Sequence, residues 1–466
     1  MMAEASPRRA PRVSHPSRAA LSLVVRTNAP LLALCVAGEI VREGGFYPGD
    51  DIGLPFAVAG LALVTPGALP VVRRHWPIAA AAAVLLGWWV GSGVAHHGGA
   101  AGMRLPATLI ALCAGALAVR LLPAPAAALL RRCVVGFGVV VAGLGLVSLV
   151  TSGSWWVLTD ERSVRLAGPF AYPSAVGLFL ILCLIGTLGG SGGSALRGLQ
   201  ALLVVATLAT DSRGALLALA AVVLAARREE RREMFPALIS GVLAAPLILL
   251  GQHRTSGQAT HEWLTAIGVL VAIALATRIT GPPRPAGRFT GQPRSAAWWR
   301  AAAAVPVAGC AGVAALLLAT QHHAVHGLDA SWNQRWGTLH SAWSALLQHP
   351  WWGAGPDPIF PARTASGAAG IAYFTHNEPL EIALSLGVAG LVAATALVAA
   401  SVRRFGLWRD ASWRLVLVAF LVAGLVDFVW HFAVLGLVAA CVAPAVTRPA
   451  NRPGRGRRRD SAAAGE

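Results

Sequence analysis

Apolar residues in this chain come in long, nearly unbroken runs, and polar residues fall in short Arg-, Pro- or Gly-bearing breaks between them. A helix that crosses a bilayer needs about 20 apolar residues. Fourteen runs of this kind lie near 20–41, 52–72, 77–95, 104–122, 133–151, 171–190, 196–211, 212–227, 235–251, 262–280, 299–320, 377–401, 413–428 and 431–447. The runs 196–211 and 212–227 are short and read as two short spans or a re-entrant hairpin. Many of the runs are rich in Ala, Gly, Leu and Val, which suits close helix packing in lipid. The pattern predicts an all-α polytopic transmembrane bundle of about 12–14 spans. No internal repeat is visible, so an inverted-repeat transporter gains no support.

Composition narrows the class. Of 466 residues, 56% are hydrophobic and 12% charged, against roughly 25% charged in soluble domains. A mean hydropathy of +0.63 excludes a soluble enzyme, a disordered chain and a collagen-like fibre. All 38 basic residues are Arg, and the formal net charge is +18. In a chain of this class such an excess orients loops and does not imply nucleic acid. With the N-terminus inside, 29 Arg fall in the expected cytoplasmic segments 1–19, 73–76, 120–132, 191–197, 226–234, 278–300, 402–414 and 448–466, 8 fall in the external segments, and Arg26 lies within the first span. That asymmetry predicts a multi-pass protein of the cell (inner) membrane with both termini cytoplasmic. The expected organisation is a basic tail at 1–19, a transmembrane domain at 20–447 with an external loop at 321–376, and a basic disordered tail at 448–466. The N-terminal tail lacks a cleavage signal after a short apolar core and reads as cytoplasmic. Six cysteines lie in apolar runs without a CxxC pair, which predicts inert buried thiols.

The loop 321–376 carries the densest chemistry. Trp332, Trp336 and Trp343, with Leu339, Leu346 and Leu347, recur at helical spacing and predict an amphipathic helix over 331–348, ended by Pro350 and the Gly353/Gly355 turn. Trp351 and Trp352 suit the headgroup level. The expected picture is a helix on the outer leaflet that roofs a cavity; on composition alone an interfacial anchor fits as well. His322, His323 and His326 beside Asp329 form an HHxxH cluster without Cys or Glu support, a poor metal set. Asp160, Glu161 and Arg162 read as a solvated outer loop.

In order, Arg335-Trp336, Trp343, His349-Pro350-Trp351-Trp352-Gly353-Ala354-Gly355, His376-Asn377-Glu378-Pro379-Leu380-Glu381 and Gly387-Val388-Ala389-Gly390 resemble the O-antigen ligase/polymerase family of membrane proteins. Upstream, Asp211-Ser212-Arg213-Gly214 is similar to the family's S-R-G signature, and Arg165 to Phe170 followed by Tyr172-Pro173 resembles its R-x-x-G-x-F…NPN element, with Ser174 in place of the second Asn. Val426-Asp427-Phe428 resembles a late family feature. The resemblance spans about 160–430. It implies a glycosyltransferase on the external face that moves a glycan from a polyprenyl pyrophosphate to an acceptor glycan or lipid, as ligase or polymerase, without metal, cofactor or nucleotide sugar. It further implies Arg213 and Arg335 on the pyrophosphate and His376 on the acceptor hydroxyl, with Arg165, Trp336, Asn377, Glu378 and Glu381 as substrate-binding residues. The partners implied are the lipid-linked donor, the acceptor and membrane lipids.

The residue chemistry agrees with these roles. Guanidinium binds phosphate oxygens in a fork and stays charged. Preplaced Arg stabilises the charge that develops on a leaving pyrophosphate. An imidazole can take a hydroxyl proton, with Glu378 or Glu381 to orient it. Asn377 can also cap the following span. Two other readings compete: a secondary transporter or lipid-linked-glycan flippase, for which Asp427 and Glu39 are the main membrane-depth carboxylates, and a non-catalytic envelope-assembly scaffold.

Overall fold

The computed structural model describes residues 18–41, 53–65, 67–96, 100–151, 156–159, 164–189, 193–252, 262–278, 325–356, 360–363, 369–372 and 374–443. Among these, the chain is an all-helical bundle: α1 (Arg18–Val41), α2 (Gly53–Val64), α3 (Ala68–Arg74), α4 (Trp76–Ala95), α5 (Arg104–Leu121), α6 (Ala124–Val150), α7 (Pro173–Gly186), α8 (Ser194–Ala209), α9 (Arg213–Ala225), α10 (Arg228–Gln252), α11 (Glu262–Arg278), α12 (Val325–Gln348), α13 (Glu378–Phe405), α14 (Ala411–Val426) and α15 (Ala433–Val442). Two short antiparallel ribbons, β1 (Val157–Thr159) with β2 (Val164–Leu166) and β3 (Phe360–Arg363) with β4 (Ala369–Ala372), interrupt it. The sequence reading had not anticipated either ribbon.

Thirteen of the fourteen apolar runs coincide with helices; the run 299–320, both tails, the HHxxH side chains and Asp160–Arg162 lie outside the described residues. Among the described residues, five helices, α4, α5, α6, α10 and α13, are long and apolar enough to cross a membrane. The run 52–72 is not one straight span. It breaks at the Thr65–Gly67 corner into α2 and α3, which meet at 91°. Two of the shorter helices, α7 and α15, sit where other helices surround them. All residues of α7 and of α15 are buried. The outer helices turn their aliphatic side chains outward: Val84 and Val94 on α4 and Leu224 on α9 are each more than 70% exposed, as lipid-facing positions should be. The short pair α8 and α9 is no closed hairpin. α9 packs mainly on α14 and α7, and α8 on α10 and α11. The thiols are mixed: Cys183 and Cys441 are buried as expected, whereas Cys113 is exposed on an apolar helix.

Helix α12 begins earlier than expected and divides its faces cleanly. Thr338, Ala342 and Leu346, at i, i+4 and i+8, are buried, with Ala342 and Leu346 against Ala383 and Leu384 of α13. Trp336, Trp343 and Leu347 point away and are more than half exposed.

Arg74, Arg120 and Arg404 gather around His75 at one end of the bundle. The Arg414 guanidinium donates to both Glu230 oxygens at 2.9 and 2.7 Å and to the Ala225 carbonyl at 3.3 Å, which ties the start of α14 to the end of α9. Nearby, Arg404 donates to His75 Nδ1 at 3.3 Å. Partial burial and the charges of Arg404, Arg74 and Arg120 lower the His75 imidazole below its ordinary value, which keeps that nitrogen an acceptor. The other end of α14 and the start of α9 carry Asp427 and Arg213, so the candidate chemistry lies at the opposite end from these arginines. With a cysteine placed at position 340 of a cysteine-free variant, a membrane-impermeant thiol reagent should label intact spheroplasts. Labelling only after lysis would put the chemistry on the cytoplasmic side.

Candidate active site

Asp427 is the hub. It follows the last turn of α14, is 1% exposed, and its two oxygens are fully engaged. Oδ1 accepts from the Tyr172 hydroxyl, from the Phe428 backbone N–H at 3.0 Å and from His376 Nδ1 at 3.0 Å. Oδ2 accepts from Ser174 Oγ at 2.6 Å and lies 3.9 Å from the Arg335 guanidinium. A group that only accepts, from this many donors, is an ionised carboxylate. Since a carboxylate cannot donate, Nδ1 of His376 donates to it, and in the neutral imidazole Nε2 is then the accepting nitrogen.

Local sequence explains how each partner reaches the hub. Tyr172 is the N-cap residue of α7 and Pro173 opens that helix, where its missing N–H costs nothing. Ser174 supplies a hydroxyl that bridges Asp427 and Ser212 Oγ, at 2.6 and 2.7 Å. Ser212 caps α9 through the Ala215 N–H. Asn377 caps α13, as its sequence position predicts: its side-chain oxygen accepts from the Leu380 N–H at 2.9 Å, and its amide donates to the Leu425 carbonyl at 2.8 Å. That second bond fastens His376 to the end of α14.

An aromatic collar keeps the hub dry. The Phe428 ring stacks on Tyr172 (4.5 Å between centroids) and on Phe374 (4.6 Å), and His376 meets its edge at 4.9 Å. Low local polarity of this kind strengthens every charge-assisted bond inside.

Among the described residues, the three non-glycine positions with positive φ are Ala171 (52°), Asp211 (46°) and His376 (54°). One is His376 itself, and the other two precede Tyr172 and Ser212. Such conformations cost about 1–3 kcal/mol each and concentrate where geometry serves function.

The arginines converge. The Arg335 side chain reaches Asp427, Arg165 Nε lies 3.6 Å from Asp211, and Arg213 feels the charges of Arg335, Asp211 and Arg165. Three guanidinium groups thus share one rim with two carboxylates.

Three expected binding residues are elsewhere. Trp336 follows Arg335 by one residue, a turn of about 100° around a helix, so it faces outward when Arg335 faces Asp427. Glu378 is fully buried; its Oε1 accepts from the Trp430 N–H at 2.6 Å and lies 3.3 Å from His431. Glu381, also buried, accepts from the Thr375 N–H at 3.1 Å. Both glutamates shape the loop around His376, and the carboxylate against the imidazole is that of Asp427. Sequence reasoning had not placed Asp427 in the site. Its signal was an acidic residue at the end of an apolar run, which demands a partner.

The two glycine motifs meet each other. The chain breaks within α13 at Gly387 (φ 72°, ψ 179°). The turn after α12 fills the gap: Val388 N–H donates to the Pro350 carbonyl at 2.8 Å, and Ala354 N–H to the Leu384 carbonyl at 2.6 Å. His349 closes that turn through its carbonyl, which accepts from the Gly353 N–H at 3.0 Å.

Residues 259–395 match the family model described as O-Antigen ligase. The matched stretch holds Arg335 and His376, and the fold joins to it Arg165, Arg213 and Asp427 from beyond its limits. Over that stretch the chain is similar to O-antigen ligases, and among the described residues five helices are long and apolar enough to cross a membrane. No curated protein matches it.

Proposed function

We propose that this chain is an integral membrane glycosyltransferase of cell-envelope polysaccharide assembly, which passes a glycan from a polyprenyl-pyrophosphate donor to an acceptor hydroxyl on the external face of the inner membrane. The observation that carries the reading is the convergence on Asp427 of His376 and Arg335, with Arg213 and Arg165 alongside.

The chemistry follows from that geometry. The pyrophosphate lies along Arg213 and Arg335, with Arg165 at its edge. Nε2 of His376 takes the acceptor proton as the acceptor oxygen bonds to the anomeric carbon. The bond from that carbon to the phosphate oxygen breaks, and its electron pair leaves with the pyrophosphate. Asp427 holds the imidazole in the tautomer that can accept, and stabilises the imidazolium that forms. The guanidinium groups neutralise the leaving group, which gains charge as the bond lengthens.

Arg213→Lys and Arg335→Lys should each insert normally and lose most transfer, because an ammonium cannot reproduce the two-pronged phosphate contact. In a strain lacking the native gene, plasmid-borne variants would be scored by the glycans left on the polyprenyl carrier. Wild-type transfer by both Lys variants would remove the arginines from the mechanism. The same assay separates the two forms of the reaction: full-length glycans stranded on the carrier mark lost ligation, and single repeat units mark lost polymerisation.

A further inference from the structure

A cavity of about 680 Å³ opens beside the site, between α1, α6 and the β1–β2 ribbon. Ile40, Phe137, Leu144, Trp156, Leu158 and Ala171 all line it, and every lining side chain is apolar. On α6, Leu144 and Phe137 lie about 9 and 20 Å below the helix end at the site side. A hydrocarbon leaflet is about 15 Å thick, so the cavity's reach along α6, up to the ribbon, is comparable with the depth of one leaflet. Its volume is in the range of about 300–1,000 Å³ typical of ligand sites.

The ribbon joins this cavity to the arginines. Leu158 pairs with Arg165 across the two strands, and directly paired residues project from the same face. One face of the ribbon therefore carries an apolar wall of the cavity and the guanidinium that lies against Asp211. The wall is rigid: the Ala167 and Gly168 N–H groups both donate to the Trp156 carbonyl, at 3.1 and 3.0 Å. Beyond it the chain turns at Ala171 into Tyr172 and the hub.

We infer that this cavity holds the isoprenoid chain of the donor and delivers its pyrophosphate over the ribbon to Arg165 and Arg213. The inference rests on the transferase reading. Three guanidinium groups at one end suit two linked phosphates better than a single phosphodiester. In lipid, apolar burial gives no net drive, since the bilayer is equally apolar. The groove acts by shape: it orders the first isoprene units and sets the position of the reacting carbon.

The test uses the full chain in phosphatidylglycerol nanodiscs with a C55 polyprenyl pyrophosphate that bears a photoreactive diazirine near its head. Peptides around 137–144 and 156–158 should be labelled, and excess unlabelled C55 pyrophosphate should suppress the labelling. Leu144→Trp, which fills the cavity from α6, should cut it at least tenfold, and Val84→Trp, on the lipid face of α4, should not. Equal labelling of α4, or suppression by extra phosphatidylglycerol alone, would identify an ordinary phospholipid and overturn the inference. Competed, Arg213-dependent labelling at other helices would overturn the cavity while sparing the transferase reading. No competed labelling at any peptide would overturn both.

Discussion

Asp427→Asn should reduce glycan transfer by roughly 10²–10⁴-fold, the range for loss of a positioned general base, with no change in the amount of inserted protein. The Asn side chain can still bond Tyr172 and Ser174, but its amide would donate to Nδ1 of His376. The imidazole proton would then move to Nε2, the nitrogen that must receive the acceptor proton. His376→Ala should fall as far as Asp427→Asn, and the double variant should fall little further, because groups that act as a unit are not additive. Ser174→Ala removes one hydroxyl from Asp427 without touching the imidazole and should be much milder. His349→Ala should be mild too, since His349 serves its turn through backbone. Transfer measured at matched protein levels decides the matter: full activity of Asp427→Asn with inactive His376→Ala would dissolve the Asp–His pair, and full activity of both would end the catalytic assignment.

Gly387→Ala should fail earlier, at folding. The residue sits at φ 72°, ψ 179°, a region essentially reserved for glycine, where a side chain costs about 1–3 kcal/mol. The added methyl would also overlap the Trp351 carbonyl group and the Trp352 nitrogen. Those are backbone atoms, fixed by the bonds from Val388 to Pro350 and from Ala354 to Leu384, so they cannot yield. Gly353→Ala meets the reciprocal obstacle in Leu384, Ser385 and Gly387. Gly87 of α4 has open space around its Cα, and Gly87→Ala is the control. Fluorescence size-exclusion and thermal melts in detergent should show loss or aggregation of the first two variants and a wild-type profile for the third. A monodisperse Gly387→Ala protein of unchanged melting temperature would contradict the interlock.

Much of this architecture was legible because lipid leaves little choice. Backbone polar groups in a bilayer must be satisfied within the helix, so an apolar run is a helix. Thirteen helix positions followed from that alone, and the Asn at the start of the 377–401 run marked the cap at Asn377; the roles expected of Arg213, Arg335 and His376 came from the family resemblance. The failures share a cause, which is direction. The run 52–72 has the composition of one span, and only its Pro–Gly corner hints at the bend. Glu378 and Glu381 are two and five residues from His376, and in sequence they look like its natural partners. His376 adopts φ 54°, which turns the chain between them and sends the glutamates into the interior while the imidazole meets Asp427. Trp336 failed for the same reason, one helical step from Arg335. Asp427 itself stood out as an expensive carboxylate, but nothing local indicates that its partners are Tyr172 and Ser174, more than 250 residues earlier.

That separation has a consequence for the birth of the protein. Tyr172 and Ser174 leave the ribosome first, then Arg213, Arg335 and His376, and Asp427 follows near the end. At about 5–20 residues per second, tens of seconds pass between the first and last components. Throughout that interval the nascent chain exposes its arginines without the acid that assembles them, so it holds no competent centre until the penultimate described helix has been inserted. On the proposed mechanism, a chain cut short after residue 395 would retain the whole stretch that matches the ligase family and should show no transfer, since it lacks Asp427. The last two described helices thus supply, late in synthesis, the carboxylate on which the proposed centre depends.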